Sequence, residues 1–538
     1  MYLPTNWQVL NYWTLAHYNF INMNTAEEIL NSASLIHLIN GLVELPEPLP
    51  AEFNVQITGV KMDSRLLHKG DLFIACFGQH HDARDYIGEA VALGVAAVVA
   101  ESGGEWRGIR MTNGVAIIAI DNLSAKISEI ASRFYNNPSD HLNVIGITGT
   151  NGKTSCSQFI AQMLDASGHK CGVIGTLGYG PYGELRETQH TTPDAVFTQT
   201  ALAEMQRQEI ESVTMEVSSV GLHQNRVQSV KFDIAVFTNL TRDHLDYHGS
   251  MESYAENKRK LFLSEGLSSA VINLDDQYAL SMMDGIPRNV EIFTYSINNP
   301  AATVYARNLS PDRHGFSAEI CTPYGEGRVA CKLFGFFNIS NVLAAVTTLI
   351  SFLARRGEVD IETIFKLISD LKPVNGRMEI TGSSNEITAI VDYAHTPDGL
   401  KSALTAVRDH FQGDIWCVFG CGGNRDKGKR PLMGEIAESF ANKLIIADDN
   451  PRNENGEEII QHIMSGIENP SKVTVIRDRA NAIDFAITKA EAGEIVLVAG
   501  KGHETYQDVG GNRTIFSDAN QVRLALQKRA KESQGNRQ

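Results

Sequence analysis

The segment 144–155, VIGITGTNGKTS, combines residue types that bind phosphate. Gly149 and Gly152 let backbone N–H groups approach phosphate oxygens, and Lys153 places a positive charge near the β- and γ-phosphates. Thr154 offers a hydroxyl to Mg²⁺, and a helix that begins here adds its dipole. The loop lacks the first glycine of the usual spacing. The segment predicts ATP or GTP binding, against the alternative of a glycine-rich turn with a solvated lysine.

Carboxylate and imidazole groups follow two further apolar runs. Glu216 ends the run VTME, and His244 lies in the segment 238–246, TNLTRDHLD. A carboxylate at one strand end and a histidine after the next strand can meet at one edge of a parallel sheet. Mg²⁺ needs only one or two carboxylates beside phosphates and water. The alternatives are a structural role for His244 and, for Lys258, a place on an exposed basic helix face.

The elements that position these residues alternate between buried strands and helices. Apolar runs without alternation are typical of strands buried on both faces, and helical-period segments separate them. The runs span 95–100, 143–148, 415–419, 443–447 and 495–499. This pattern predicts an α/β protein with parallel sheets.

Two polar segments indicate domain boundaries. NNPSD at 136–140 precedes the strand that leads into the phosphate loop, and KPVNGR at 372–377 precedes a new strand. Both contain the proline and asparagine that are typical of connections. The predicted domains are 1–142, 143–377 and 378–538, each of ordinary domain size.

Composition argues against a nucleic-acid-binding, a secreted and a membrane-spanning protein. The 538 residues carry 47 Lys and Arg against 63 Asp and Glu, a net charge of −16 that argues against a nucleic-acid surface. Seven cysteines without a CxxC pair indicate a reducing cytosol. Residues 1–22 lack the basic start of a signal peptide and are interpreted as a loosely attached extension. No apolar run reaches the ~18 residues of a membrane span.

Ten strings of residues, in this order, resemble the motifs of the Mur ligase family, the ATP-dependent amino-acid ligases of peptidoglycan precursor synthesis. The strings are DSR at 63–65, GTNGKT at 149–154, EVSS at 216–219, TNLTRDHLD at 238–246, NISN at 338–341, NGR at 375–377, DYAHTP at 392–397, GCGGNRDK at 420–427, DNPR at 449–452 and GKGHE at 500–504. The similarity runs from Thr58 to Ser517, and the preserved order makes it specific.

The resemblance implies an α/β fold of three domains. The first binds a uridine nucleotide, the central one is a P-loop-type ATPase with a mostly parallel sheet, and the C-terminal one is Rossmann-like and binds the amino acid. It implies transfer of the γ-phosphate of ATP to a D-glutamyl carboxylate, followed by attack of an amine on the acyl phosphate. The implied substrates are ATP, UDP-N-acetylmuramoyl-L-alanyl-D-glutamate and meso-diaminopimelate, with Mg²⁺ as cofactor. A cytoplasmic monomer that binds neither nucleic acid nor membrane is expected.

The resemblance also implies a role for individual residues. The catalytic set is Lys153, His244 and Lys258. The metal set is Thr154, Glu216, His244 and, if carbamylated, Lys258. The ATP set is Gly149, Thr150, Asn151, Gly152, Lys153, Thr154, Ser155, Asn338, Asn341, Arg377 and Asp392. The set for the UDP-linked substrate is Met62, Ser64, Gln79, His80, His81, His190, Thr191, Thr192, Ser218, Gln224 and Arg226. The diaminopimelate set is Arg425, Asp449, Asn450, Pro451, Arg452, Gly500 and Glu504.

Arg452 is the residue expected to select the amino acid. Diaminopimelate has a distal carboxylate that lysine lacks, and a guanidinium can bind it through two hydrogen bonds. Glu504 is expected to face an ammonium group. Without the other motifs, DNPR would be interpreted as a surface turn with an exposed arginine. The chain departs from the family at Val220, where a histidine is usual, and at His190, where an asparagine is usual.

Two alternative functions remain open at this point. A folylpolyglutamate-type ligase shares the ATPase plan, but it would need a pterin site in place of a uridine domain, and residues 57–87 argue against it. A nucleotide-hydrolysing switch would leave the DNPR segment without a role. An assay of phosphate release with each candidate amine separates the three.

Overall fold

The computed structural model describes residues 31–46, 48, 50–78, 81–383 and 387–535. The predicted extension 1–22 lies outside these residues. These described residues form two compact units, which are divided between 136 and 137. The chain is α/β, with mostly parallel sheets.

The first unit contains a five-stranded sheet. Its order is β3-β4-β5-β7-β6, with all pairs parallel except β6 with β7. Strands β4 and β7 are buried at every position, as expected for a sheet covered on both faces. The elements are β1 (Ala33–Ser34), β2 (Gln56–Ile57), β3 (Gly59–Lys61), β4 (Asp71–Ala75), β5 (Ala97–Glu101), β6 (Ile109–Thr112), β7 (Val115–Ile120), α1 (Leu35–Ile39), α2 (Ile87–Leu93) and α3 (Ile127–Phe134).

The second unit begins with a ten-stranded sheet of order β10-β9-β11-β8-β12-β13-β14-β15-β16-β17. Neighbours are parallel from β9 to β15, and β10, β16 and β17 pair antiparallel. The strands are β8 (Asn143–Thr148), β9 (Cys171–Gly175), β10 (Gly178–Pro181), β11 (Ser212–Glu216), β12 (Ile234–Phe237), β13 (Ser269–Asn273), β14 (Glu291–Ser296), β15 (Val304–Asp312), β16 (Gly315–Thr322) and β17 (Gly325–Cys331).

Helices cover both faces of this sheet. Apolar residues of α4 and α10 form the core on one face, and those of α5 and α8 contribute to the core on the other. The helices are α4 (Lys153–Ala166), α5 (Ala195–Arg207), α6 (Ser219–His223), α7 (Leu245–His248), α8 (Met251–Arg259), α9 (Ala279–Met283), α10 (Phe336–Ala354) and α11 (Ile361–Asp370).

One helix among the described residues, α10, has the length and apolar composition of a membrane span. It is 83% buried inside the protein, and its apolar residues belong to the core beside the central sheet. Its apolar residues do not form one continuous run, because asparagine, serine and threonine interrupt them.

The remainder of the second unit contains a six-stranded sheet of order β18-β19-β23-β20-β21-β22, parallel except for β18. The predicted strands at 143–148, 415–419 and 495–499 are confirmed residue for residue. The elements are β18 (Glu379–Ser383), β19 (Thr388–Asp392), β20 (Ile415–Phe419), β21 (Lys443–Ile446), β22 (Val473–Val475), β23 (Ile495–Ala499), β24 (Tyr506–Val509), β25 (Asn512–Ile515), α12 (Pro397–His410), α13 (Lys429–Phe440), α14 (Gly456–Met464), α15 (Arg479–Lys489) and α16 (Asp518–Gly535).

Candidate active site

The phosphate loop lies between the ends of two strands that carry the other predicted groups. Because β8 pairs with both β11 and β12, Glu216 and the segment 238–246 flank the loop. The Thr154 hydroxyl donates to Glu216 Oε2 at 3.0 Å, and Arg377 Nη2 donates to Thr154 Oγ1 at 3.0 Å. Thr176 N donates to Glu216 Oε1 at 2.7 Å. The Glu216 carboxylate, predicted to lie at the edge of the sheet, therefore contacts the threonine of the loop.

Two glycines allow the loop to approach its neighbours closely. A Cβ atom at Gly149 would overlap the Thr238 hydroxyl, and Gly149 has a φ of +154°. A Cβ atom at Gly152 would lie 2.5 Å from Asn341 Oδ1, and Gly152 has a φ of +86°. Asn341 in turn donates to Asn338 Oδ1 at 3.1 Å. Both asparagines of the predicted ATP set are buried, Asn341 against the loop and Asn338 against Asn341.

Two lysine ammonium groups converge on one carbonyl oxygen. Lys153 Nζ donates to Gly149 O at 2.8 Å, and Lys258 Nζ donates to the same atom at 2.7 Å. Lys258 is only 1% exposed, so the interpretation of its helix face as an exposed basic one is wrong at this residue. Burial lowers the pKa of both lysines, and the charge of Lys153 lowers the pKa of Lys258 further.

Positive groups surround the carboxylate that precedes the predicted histidine. Asp243 Oδ2 lies 3.6 Å from His244 Nε2 and 4.0 Å from His395 Nε2, and Asp243 Oδ1 lies 3.9 Å from Lys429 Nζ. Burial opposes ionisation of Asp243, but His244, Lys429 and His395 together hold its pKa well below the usual range. Burial lowers the pKa of His244 itself. His395 and Lys429 belong to the C-terminal part, which therefore contacts the central part here.

The residues predicted for the muramoyl-dipeptide form one hydrogen-bonded chain that starts at the Glu216 backbone. Thr192 Oγ1 donates to Glu216 O at 2.9 Å and accepts from Ser218 N at 2.9 Å. Arg226 Nη1 donates to Thr192 O at 2.7 Å, and its Nε donates to Gln224 Oε1 at 2.9 Å. Four of the predicted residues on this side are thereby brought together, and Thr191 Oγ1 lies 3.0 Å from Thr176 Oγ1.

Three arginines lower the pKa of the His190 imidazole. Partial burial is the main cause that lowers this pKa, and the charges of Arg226, Arg425 and Arg513 lower it further. The negative charge of Asp194 raises it in part. Arg226 belongs to the dipeptide chain, whereas Arg425 belongs to the predicted amino-acid pocket. Residues of both predicted substrate regions therefore contribute positive charge at His190.

The predicted amino-acid pocket is held together by side chains. Glu504 Oε2 accepts from Asn450 Nδ2 at 2.8 Å and from Lys501 Nζ at 2.7 Å. Arg452 Nη1 donates to Gly423 O at 2.8 Å. Burial raises the pKa of Glu504, and the negative charge of Asp449 raises it further. The pocket thus contains two adjacent carboxylates and, close by, a half-buried guanidinium.

The remaining predicted residues are placed as follows. Asp392 is buried and its Oδ2 accepts from Met378 N at 2.7 Å, while Ser155 is buried in the first turn of α4. Burial raises the pKa of Asp392. Met62 and Ser64 are half-buried in the first unit, and His81 is exposed there. Gln79 and His80 lie outside the described residues.

Several residues of the site were not predicted from the sequence. Thr176, Thr238, Asp243, Tyr254 and Lys501 all contact predicted residues directly. Asp243 and Lys501 stand inside quoted motifs, which was an available signal. Tyr254 stands one helical turn before Lys258, a spacing that places both on one helix face. Nothing in the local sequence marks Thr176.

Three segments match domains of one family. Residues 56–135 match the Mur ligase family catalytic domain, 147–349 the Mur ligase middle domain, and 376–502 the Mur ligase glutamate ligase domain. A UDP-N-acetylmuramoyl-L-alanyl-D-glutamate–2,6-diaminopimelate ligase of Coxiella burnetii is 47% identical over 88% of this chain and 96% of its own. A protein of the same description from Pseudomonas aeruginosa is 45% identical over 88% and 96%.

Solved structures agree with these matches. A structure of a UDP-N-acetylmuramoyl-L-alanyl-D-glutamate–2,6-diaminopimelate ligase is 34% identical, with a TM-score of 0.64 over 93% of this chain and 99% of that one. Folylpolyglutamate synthase of Mycobacterium tuberculosis is only 16% identical and covers 70% of this chain and 92% of its own, with a TM-score of 0.59. It shares the fold alone. The present chain belongs to the Mur ligase family.

Proposed function

We propose that this protein is an ATP-dependent ligase that joins meso-2,6-diaminopimelate to UDP-N-acetylmuramoyl-L-alanyl-D-glutamate, with release of ADP and phosphate, in peptidoglycan synthesis. One observation carries the proposal: Arg377 donates to Thr154 of the phosphate loop, and His395 and Lys429 of the C-terminal part approach Asp243 of the central part, so motifs of both parts meet at one site. The names of relatives that are 47% and 45% identical support the same reaction.

The loop residues provide the positive charge that phosphoryl transfer between two anions requires. Lys153 lies beside Gly149 and Thr150, where its ammonium can neutralise the β- and γ-phosphates. Arg377, whose Nη2 reaches Thr154, adds a second cation at the same edge. Cations fixed beside the phosphates reduce the reorganisation that the transfer requires.

Thr154 and Glu216 fit a Mg²⁺ ion. A hydroxyl and a carboxylate oxygen 3.0 Å apart are hard oxygen donors, and phosphate and water can complete the shell. No group of three or more His, Cys, Asp or Glu side chains suited to a metal occurs among the described residues, so the site depends on the nucleotide for further ligands. Bound Mg²⁺ would withdraw charge from the phosphate oxygens. His244 is proposed as a ligand of a second ion.

Lys258 is proposed to act as a carbamate. Two ammonium groups that share Gly149 O repel one another in a buried place. Addition of CO₂ to the Lys258 amine would replace one of the two cations with an anion. The resulting carboxylate would stand beside Lys153 and near His244, as a metal ligand requires. Mass spectrometry of the intact protein under CO₂ would detect it.

The remaining chain residues orient the two reacting partners. Arg226 and the hydroxyls of Thr192 and Ser218 are proposed to bind anionic groups of the muramoyl-dipeptide. Arg452 is proposed to bind the distal carboxylate of diaminopimelate, while Glu504 and Asp449 bind an ammonium group. The uncharged amine of diaminopimelate then attacks the carbonyl carbon of the acyl phosphate. The nitrogen–carbon bond forms, the carbon–oxygen bond to phosphate breaks, and the nitrogen loses one proton as phosphate leaves.

We further propose that the predicted domain 1–142 binds the uridine nucleotide, that 143–377 binds ATP and that 378–538 binds the amino acid. Met62, Ser64 and His81 are the uridine-side residues within the described part of the first unit. All seven cysteines are free, which supports a reducing, cytoplasmic location. A monomer is proposed.

Phosphate release in the presence of different amines tests the function. We expect release only when ATP, Mg²⁺, the UDP-linked dipeptide and meso-diaminopimelate are all present, and none when EDTA is added. Lysine in place of diaminopimelate should support little release because it lacks the distal carboxylate. Release that needs no amine would favour a nucleotide switch. Release that needs a folate and glutamate would favour a folylpolyglutamate-type ligase.

A further inference from the structure

Tyr254 connects the phosphate loop to the helix that carries Lys258. It lies on α8, is 1% exposed, and its hydroxyl is 3.1 Å from Thr150 Oγ1. Its ring lies under the Lys258 ammonium, with Nζ 4.6 Å from the ring centroid. One side chain thus contacts a loop residue through its polar end and the proposed carbamate lysine through its ring.

The hydrogen bonds of Thr150 assign the direction of the bond to Tyr254. Thr150 Oγ1 donates its only proton to Thr241 O at 3.1 Å, because a carbonyl can only accept. The same oxygen accepts from Thr241 N at 3.0 Å. Its second lone pair is therefore filled by the Tyr254 hydroxyl, which must be the donor. With this bond, every hydrogen-bonding position of the Thr150 hydroxyl is used.

The ring of Tyr254 is itself held by aromatic neighbours. The His248 ring stacks on it at 5.2 Å with an interplanar angle of 28°, and His248 Nε2 is 2.9 Å from Ser219 Oγ. The His244 ring meets it edge-on at 6.2 Å. A ring fixed in this way presents a constant surface against which the Lys258 side chain packs.

We propose that Tyr254 is a positioning residue that holds Thr150 of the loop and Lys258 at a fixed separation for γ-phosphate transfer. This role rests on the proposed ligase function. It assigns two separable tasks to one side chain: the hydroxyl fixes the loop, and the ring fixes Lys258. Tyr254→Phe removes the hydroxyl that fixes the loop but keeps the ring. Tyr254→Leu removes both the hydroxyl and the ring.

Steady-state kinetics of Tyr254→Phe, Tyr254→Leu and a matched control tests this. The control is Tyr295→Phe, since Tyr295 is also 1% exposed and its hydroxyl also donates one bond, to Phe237 O at 3.1 Å. For Tyr254→Phe we expect kcat/KM for ATP to fall about five- to tenfold, the usual size of one lost hydrogen bond, with KM for diaminopimelate unchanged. Tyr254→Leu should lose kcat in addition. Tyr295→Phe should change neither.

Equal ATP kinetics of Tyr254→Phe and Tyr295→Phe would overturn the role of Tyr254, while an inactive wild-type enzyme would overturn the proposed function instead. If Tyr254→Phe does not fold, Thr150→Val removes the same bond together with the two bonds to Thr241, and it should lower kcat/KM for ATP at least as much. Where both variants fold, their double mutant should be no worse than the worse single variant in kcat/KM for ATP. Fully additive losses would show that the two side chains act separately and would contradict the proposal.

Discussion

The phosphate loop and the amino-acid pocket bind charged groups by different structural means. The loop is one contiguous segment, 149–154, and its shape depends on backbone conformations that only glycine adopts readily. The pocket gathers side chains from three motifs, at 420–427, 449–452 and 500–504, and from the hairpin 506–515. A binding site of the first kind is encoded locally, and one of the second kind depends on the whole C-terminal fold.

Contacts within the pocket show how far this dependence extends. Arg452 has a left-handed φ of +53°, and its backbone is bound on both sides by the hairpin: Arg452 N donates to Asp508 O at 2.9 Å, and Gly510 N donates to Arg452 O at 2.7 Å. Asn450 Oδ1 accepts from both Lys501 Nζ and Asp508 N. Substitutions in the pocket should therefore affect several ligand contacts at once, whereas those in the loop should affect ATP alone.

The largest effect is expected for Lys153→Ala. Loss of a preorganised cation at the transferred phosphate should lower kcat by about 10²- to 10³-fold, with KM for diaminopimelate unchanged. Stopped assays of ADP formation measure this. Lys260→Ala is the matched control. It removes the same charge from an exposed side chain just after α8. Equal kcat values for the two variants would show that Lys153 does not act on the phosphates.

Arg452→Ala is expected to have the next largest effect. Loss of a charged hydrogen-bonding partner should raise KM for diaminopimelate about ten- to hundredfold and leave KM for ATP unchanged. Arg452→Lys should recover part of the loss, since a lysine keeps the charge but not the two-pronged geometry. The exposed Arg408 supplies a control variant, Arg408→Ala. If KM for ATP and for diaminopimelate rise equally, Arg452 does not belong to the pocket.

The difference between the two regions also explains what the sequence could predict. The strand β8, the loop and α4 follow from local patterns, as does the position of Glu216 at the end of a strand. The pairing of Glu216 with Thr154 was expected only through the resemblance. The pocket was expected only through resemblance, because no local pattern in DNPR shows that Asn450 meets Glu504. Burial of Lys258 could not be predicted either. Its helix segment is strongly polar, and only the placement of Tyr254 against the loop turns that face inward.

Gly500→Ala tests the close packing of the pocket. Gly500 has a φ of +120°, and a Cβ atom there would lie 2.6 Å from Asp449 Oδ2. We expect a loss of about 1–3 kcal/mol in the free energy of unfolding, as for other strained backbone positions, together with a raised KM for diaminopimelate. Gly510→Ala is the control, because Gly510 also has a positive φ, +62°, but open space around it. Urea unfolding measures the free energy, and steady-state kinetics measures KM. If the two variants have equal values of both, Gly500 does not pack closely against Asp449.

The smallest effect is expected in the pH dependence of the pocket. Burial and the charge of Asp449 raise the pKa of Glu504, so the free enzyme keeps a proton there that the unfolded chain has already lost. Stability should therefore fall as pH rises from the ordinary glutamate pKa to the raised one. An ammonium ligand favours the ionised form, so KM for diaminopimelate should fall over the same interval, by at most about tenfold per pH unit. The glutamine of Glu504→Gln cannot ionise, so the pH dependence of stability and of KM for diaminopimelate should disappear over this interval. If the variant keeps that pH dependence, another group causes it.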